Sequence, residues 1–142
     1  MYRRPMFEPP APHDPEGRVI AAMLVACPSF VDAWHRHLLA WAGENHGPYT
    51  DAGTFAGHLV DLLESGQTSE LGAVFHQVEL LLGDTDAGVR YLTQIGLLED
   101  LGNIASNRHG WPFAEQFTQW FGPASRAAWA ELHTMWGTTP AG

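Results

Sequence analysis

From residue 14 onward, apolar positions recur at steps of three and four and are cut at short intervals by Pro and Gly. No stretch keeps the strict alternation of a strand, so the pattern predicts helices joined by brief connectors. Asp14-Pro15 sets a cap and a first-turn proline before the apolar run Val19 to Cys27, which Pro28 ends. Ser29 is expected to cap the next helix, with Asp32 in a capping-box-like spacing. Phe30, Trp34, Leu38 and Trp41 share one face of it, and Gly43 closes it.

After the turn-rich ENHGPYT, Thr50 or Asp51 is expected to open a third helix that reaches about Glu64 and stops at Ser65-Gly66. Thr68 or Ser69 caps a fourth, whose stripe is Leu71, Val74, Phe75, Val78, Leu81 and Leu82, with Gly83 as its stop. Asp84 or Asp86 opens a fifth helix to about Ala105, and SNRHGWP reads as a loop. A sixth carries Phe113, Phe117, Trp120 and Phe121; a seventh, begun by Pro123, carries Trp129, Leu132 and Trp136. The expectation is an all-α domain of about seven helices over residues 14–137, an irregular bundle or a stack of helical hairpins. Residues 1–13, rich in proline, read as a flexible arm, and residues 138–142 as a frayed tail.

Composition narrows the partners. The chain has 142 residues, 45% of them hydrophobic, which is enough to bury one sizeable core. Its 16 acidic and 7 basic residues give a net charge of −9, which disfavours nucleic acid and anionic membranes as partners. The same charge suits a basic protein partner. One cysteine, Cys27, excludes an internal disulfide framework and fits a reducing compartment, with the thiol read as buried and structural. The N-terminus lacks the apolar core of a signal peptide, and the longest apolar run is too short to span a bilayer. A cytoplasmic protein is expected.

Candidate chemistry is sparse. Three His–carboxylate pairs lie at helical i, i+3 spacing on successive helices: Asp32 with His35, His58 with Asp61, and His76 with Glu79. Facing helices of bundle metalloproteins supply such ligands, so these six residues form the alternative of a metal-dependent enzyme. The paired-carboxylate di-iron order is not kept, and no cofactor is expected. His35 and His37 point to different faces of one helix and cannot chelate together. The run Asp84, Asp86, Gly88 lacks the twelfth-position acid of a calcium loop, where Ile95 stands. No nucleophile elbow or phosphate-cradling loop occurs.

The stretch YLTQIGLLEDLGNI, Tyr91 to Ile104, keeps acids and two glycines inside a mostly apolar helix. Advancing 100° per residue puts Glu99 above Ile95 and Gly96 and below Asn103, as the half-buried acid. Asp100 then falls on the polar side, exposed and free to meet a partner. Gly96, Glu99 and Asn103 are read as structural, with Gly96 admitting a neighbour closely. Trp111, between Gly110 and Pro112, is the best candidate for an exposed partner-binding ring. The other C-terminal aromatics read as core, or as a homodimer face built on Trp129 and Trp136.

Residues 58–103 resemble a family of small all-helical bacterial proteins known only as a domain of unknown function. The resemblance rests on Leu59–Leu62, on Phe75, Glu79, Leu81 and Leu82, on Asp86, Val89 and Leu92, and on the run Ile95–Asn103. The ending PASRAAWAELHTMWG is similar as well; Gly102 departs from the family's pattern. The resemblance implies the helical fold and no established chemistry. Together with the acidic charge and the missing catalytic motif, likeness in size and helical make-up to immunity proteins leads to the expectation of a non-enzymatic module that presents an acidic surface to a basic toxin.

Overall fold

In the computed structural model, residues 15–42, 44 and 46–139 are described. The segment read as a flexible arm, the capping Asp14 and the closing Gly43 lie outside them. The described residues are helical and hold no strand, so the fold is all-α. No single helix among them is long and apolar enough to cross a membrane.

Helix α1 spans Gly17–Ala26 and buries Val19, Ile20 and Met23. A 3-10 turn, Pro28–Phe30, leads into α2, Val31–Ala40. Ser29 is therefore not the cap of α2. It lies inside the turn, and the acid that receives its N–H is Glu70, at 3.1 Å, from a distant connector. Helix α3 spans Gly47–Ser65, with Pro48 in its first turn, so it starts ahead of Thr50 and Asp51. Gly66 closes it in the left-handed conformation, φ +74°, where a side chain would be strained.

Helix α4, Leu71–Leu82, buries Leu71, Val74, Phe75, Val78 and Leu81, the stripe its spacing predicts. Neither Thr68 nor Ser69 caps it; Glu70 precedes it without a side-chain cap bond. Asp86 does cap the next helix: its carboxylate accepts from the Val89 N–H at 3.0 Å.

That next helix is the centre of the fold, and it is not uniform. It begins as α5, Ala87–Tyr91, widens into a π-helical segment, Leu92–Leu98, and continues as α6, Glu99–His109. The Thr93 hydroxyl donates to the Val89 carbonyl at 2.7 Å, competing with the backbone for that acceptor at the start of the wide segment. The helix runs past Ala105 through Ser106, Asn107 and Arg108, so most of SNRHGWP is helical. The break is Gly110, at φ +87°.

The chain then turns into α7, Trp111–Ala114, a 3-10 segment, Glu115–Trp120, and α8, Pro123–Trp136. Helix α8 buries Ser125, Ala128, Trp129, Leu132 and His133 at steps of three and four.

Two helices set the geometry of everything else. Tyr49 of α3 approaches Gly96, Gly53 approaches Asp100, and Asp61 and Glu64 pair with Arg108. The order of these pairs makes α3 and the central helix run side by side in the same direction. Gly96 and Gly102 explain themselves in this packing. A Cβ at Gly96 would lie 3.1 Å from the Tyr49 ring and 2.7 Å from the Leu92 side chain. A Cβ at Gly102 would lie 2.6 Å from the Trp136 ring and 3.1 Å from that of Trp129. The departure at Gly102 thus admits the rings of α8.

Candidate functional site

The π segment changes which acid faces α3. A π turn consumes more residues than the 3.6 of an α turn, so each residue advances by less than 100°. One extra residue in the turn moves every later side chain back by about one position. Asp100 consequently takes the place that regular spacing gives Glu99. Both are half-buried, and the Asp100 Oδ2 sits 2.8 Å from where a Gly53 Cβ would be. The division into an inward Glu99 and an exposed Asp100 is corrected accordingly.

Asp100 makes no hydrogen bond or ion pair among the described residues. Burial, with the neighbouring charge of Glu99 adding to it, raises its carboxyl above the usual range. On the same helix pair, Tyr49 and Tyr91 are exposed at 42% and 58%, their rings 6.4 Å apart and edge-on. Gly57 continues the α3 side of the pair, and a Cβ there would meet nothing within 4 Å. The result is a face with two aromatic rings at one end, an unbonded acid at its middle and open space beyond.

The six residues of the metal alternative do not converge. Asp32, His35 and His76 lie on the exposed surface. His58 bonds Ser29 at 2.9 Å, Asp61 bonds Arg108 at 2.8 Å, and Glu79 is spent on α8. Trp111 is half-buried in α7 rather than exposed in a loop, its ring 5.0 Å from that of His133 and 4.9 Å from Trp136. Trp129 is 2% exposed, so its ring belongs to the core and is not available as a dimer face. Asn103 is half-buried.

Four polar constellations remain, the first of them at the surface and the others partly or fully buried. In the first, the Ser29 hydroxyl donates to Glu70 and receives from His58, while the Cys27 thiol points to Glu70 at 3.4 Å. The hydroxyl lies between imidazole and acid, which is the wrong order for a base-activated nucleophile. Burial, with the Glu70 charge adding to it, pushes the Cys27 thiol up to about 11. Native protein at neutral pH is therefore expected to resist iodoacetamide and to label fully in denaturant, as read by intact mass; complete labelling of the native form would contradict this inertness.

In the second, the Glu79 carboxylate accepts from the backbone N–H of Ala124 at 3.0 Å and of Ser125 at 2.6 Å, and from the Ser125 hydroxyl. An acid of α4 thus caps α8, and a Gly122 Cβ would collide with that carboxylate. In the third, Glu115 accepts from His133 Nε2 at 2.6 Å and from Trp129 Nε1 at 3.1 Å. Thr138, in the segment read as a tail, lies 2.5 Å from His133 Nδ1.

The fourth joins α2 to α3. Asp51 Oδ1 lies 2.8 Å from His37 Nε2 and 2.6 Å from His46 Nδ1, and Thr54 Oγ1 lies 3.0 Å from His37 Nδ1. His37 and Asp51 are buried and His46 is half-buried. Neither this set nor the Tyr49–Tyr91 pair stands out in the sequence. The packing of α2 against the start of α3 brings His37 to His46 and Asp51, and the parallel packing of α3 with the central helix brings Tyr49 to Tyr91.

Fold and site together define an all-α domain whose open face joins aromatic rings to an unbonded carboxylate. The chain belongs to the family described as a domain of unknown function, DUF7674, which matches residues 20–137. No curated protein and no solved structure is significantly similar to it.

Proposed function

We propose that the chain is a non-enzymatic protein-binding module, of the immunity or antitoxin kind, that receives a basic partner on the face between α3 and the central helix. The observation that carries the reading is the half-buried, unbonded Asp100 on the same face as the exposed rings of Tyr49 and Tyr91. Tyrosine contributes large contact area at interfaces, and its ring attracts Lys and Arg cations. A partner's guanidinium or ammonium would supply the counter-charge that Asp100 lacks. Among the described residues, Arg18, Arg90, Arg108 and Arg126 are bonded elsewhere, to Asp84, the Asp84 carbonyl, Asp61 with Glu64, and the Thr118 carbonyl, and Arg36 is exposed on α2.

Asp100→Asn separates binding from folding. Because burial raises the folded-state pKa of Asp100, its charge opposes folding once pH rises through that value. The neutral amide is expected to raise the melting temperature at pH 7 while weakening the partner at least about tenfold. Capture from the native host with wild-type bait identifies that partner, expected to be a basic toxin encoded beside this gene. Undiminished binding by both Asp100→Asn and Tyr91→Ala would contradict the reading.

A further inference from the structure

The geometry points to a divalent metal site at His37, His46 and Asp51, fitted to a borderline first-row cation with Zn²⁺ foremost. It is independent of the partner-binding face. One nitrogen from each imidazole and one carboxylate oxygen lie within 4.8 Å of one another. Two imidazoles and one carboxylate form a donor set that suits such ions, whereas Mg²⁺ and Ca²⁺ prefer oxygen alone.

Proton placement favours a cation between these groups. The Thr54 hydroxyl donates its only proton to the Thr50 carbonyl at 3.1 Å. With that proton directed at the carbonyl, the hydroxyl offers a lone pair to His37 Nδ1, 3.0 Å away, which favours the tautomer with the ring's proton on Nδ1. In the neutral ring, Nε2 then aims a lone pair at Asp51 Oδ1 across 2.8 Å. Two lone pairs that close are held together by a positive charge between them, which a proton or a metal ion supplies. Holding Nδ1–H with a fixed acceptor while Nε2 faces the ion is also how ligating histidines are commonly oriented.

His46 makes the same demand separately. Its Nδ1 lies 2.6 Å from the same Asp51 oxygen, yet it is buried and not in hydrogen-bonding geometry with any partner. The one other side-chain polar atom in that condition among the described residues is Trp34 Nε1. Trp34 is 3% exposed, and its ring lies 5.5 Å from that of His37. Both residues with an orphaned atom thus have rings next to that of His37. A tetrahedral ion with bonds of about 2.0–2.1 Å asks its ligand atoms to stand about 3.3 Å apart, so the carboxylate must draw back from the two rings by about 0.5–0.7 Å. Three protein ligands leave one position for water, and the ion would tie the end of α2 to the first turns of α3.

Titration of the full-length, metal-stripped chain with ZnCl2 tests this by calorimetry and by melting temperature, with MgCl2 as the comparison. One equivalent of Zn²⁺ is expected to bind saturably and raise the melting temperature, and Mg²⁺ to do neither. His46→Gln is expected to weaken Zn²⁺ by more than about tenfold, while the exposed-surface change His76→Gln leaves it intact. Co²⁺ in wild-type protein should give the intense visible bands of a four-coordinate site, which needs no variant to fold. Absence of one-to-one uptake by wild-type protein, or full retention of it in His46→Gln, would overturn the site.

Discussion

Replacing Glu115 with alanine is expected to destabilise the protein by about 3–5 kcal/mol, the largest loss of any single polar substitution considered. Glu115 is the one acceptor for two buried donors, His133 Nε2 and Trp129 Nε1, on residues 1% and 2% exposed. Removing it strands both. Each orphaned donor costs about 1–3 kcal/mol, because the water that would replace the carboxylate is excluded by Trp111, Trp129 and Trp136 packed around the imidazole. Glu115→Gln keeps one acceptor and should fall between alanine and wild type. The measurement is the urea midpoint at constant slope, since a changed slope would report an altered unfolded or native state. A loss below about 1 kcal/mol for the alanine variant would mean that His133 and Trp129 do not depend on this acid.

Glu79→Ala is expected to cost about 2–4 kcal/mol. The side chain serves α8 as a cap brought from α4, accepting from Ala124, from Ser125 twice, and lying against Gly122. Helix N-termini carry unsatisfied N–H groups and a partial positive charge, and an acid there meets both needs. Burial works to raise the Glu79 carboxyl, but the bonds from Ser125 and Ala124, with the Gly122 backbone N–H close by, together outweigh it and hold it below the usual range. A lowered folded-state pKa adds stability above the unfolded value, and that stability is lost as pH falls through the folded one. The gap between wild type and Glu79→Gln should therefore be widest at neutral pH and close in acid. A gap that stays constant down through the carboxylate range would contradict the cap.

These two acids also mark where reading the sequence succeeds and where it stops. Elements with strong local periodicity are legible: the α4 stripe, the α8 stripe and the Asp86 cap all follow from spacing within one helix. Caps supplied from elsewhere are not. Ser29, Thr68 and Ser69 look like local caps, yet Glu70 and Glu79 bind helix starts 41 and 45 residues away in sequence. The π segment hides for a related reason. Leu92–Leu98 is apolar but for Thr93 and Gln94, and its pattern does not reveal the extra residue per turn, so the 100° count drifts by one position at Glu99. That drift is why Asp100, and not its neighbour, meets Gly53. His46 and Asp51 read as connector and cap until α3 is seen to begin at Gly47.

The face between α3 and the central helix carries the functional account, and a footprint of the bound partner tests it most directly. Isotope-labelled protein titrated with the captured partner should show its largest amide shifts around Tyr49, Gly53, Tyr91 and Asp100, with the His133–Glu115 region unmoved. Shifts concentrated on α8, with that face silent at saturation, would contradict the account.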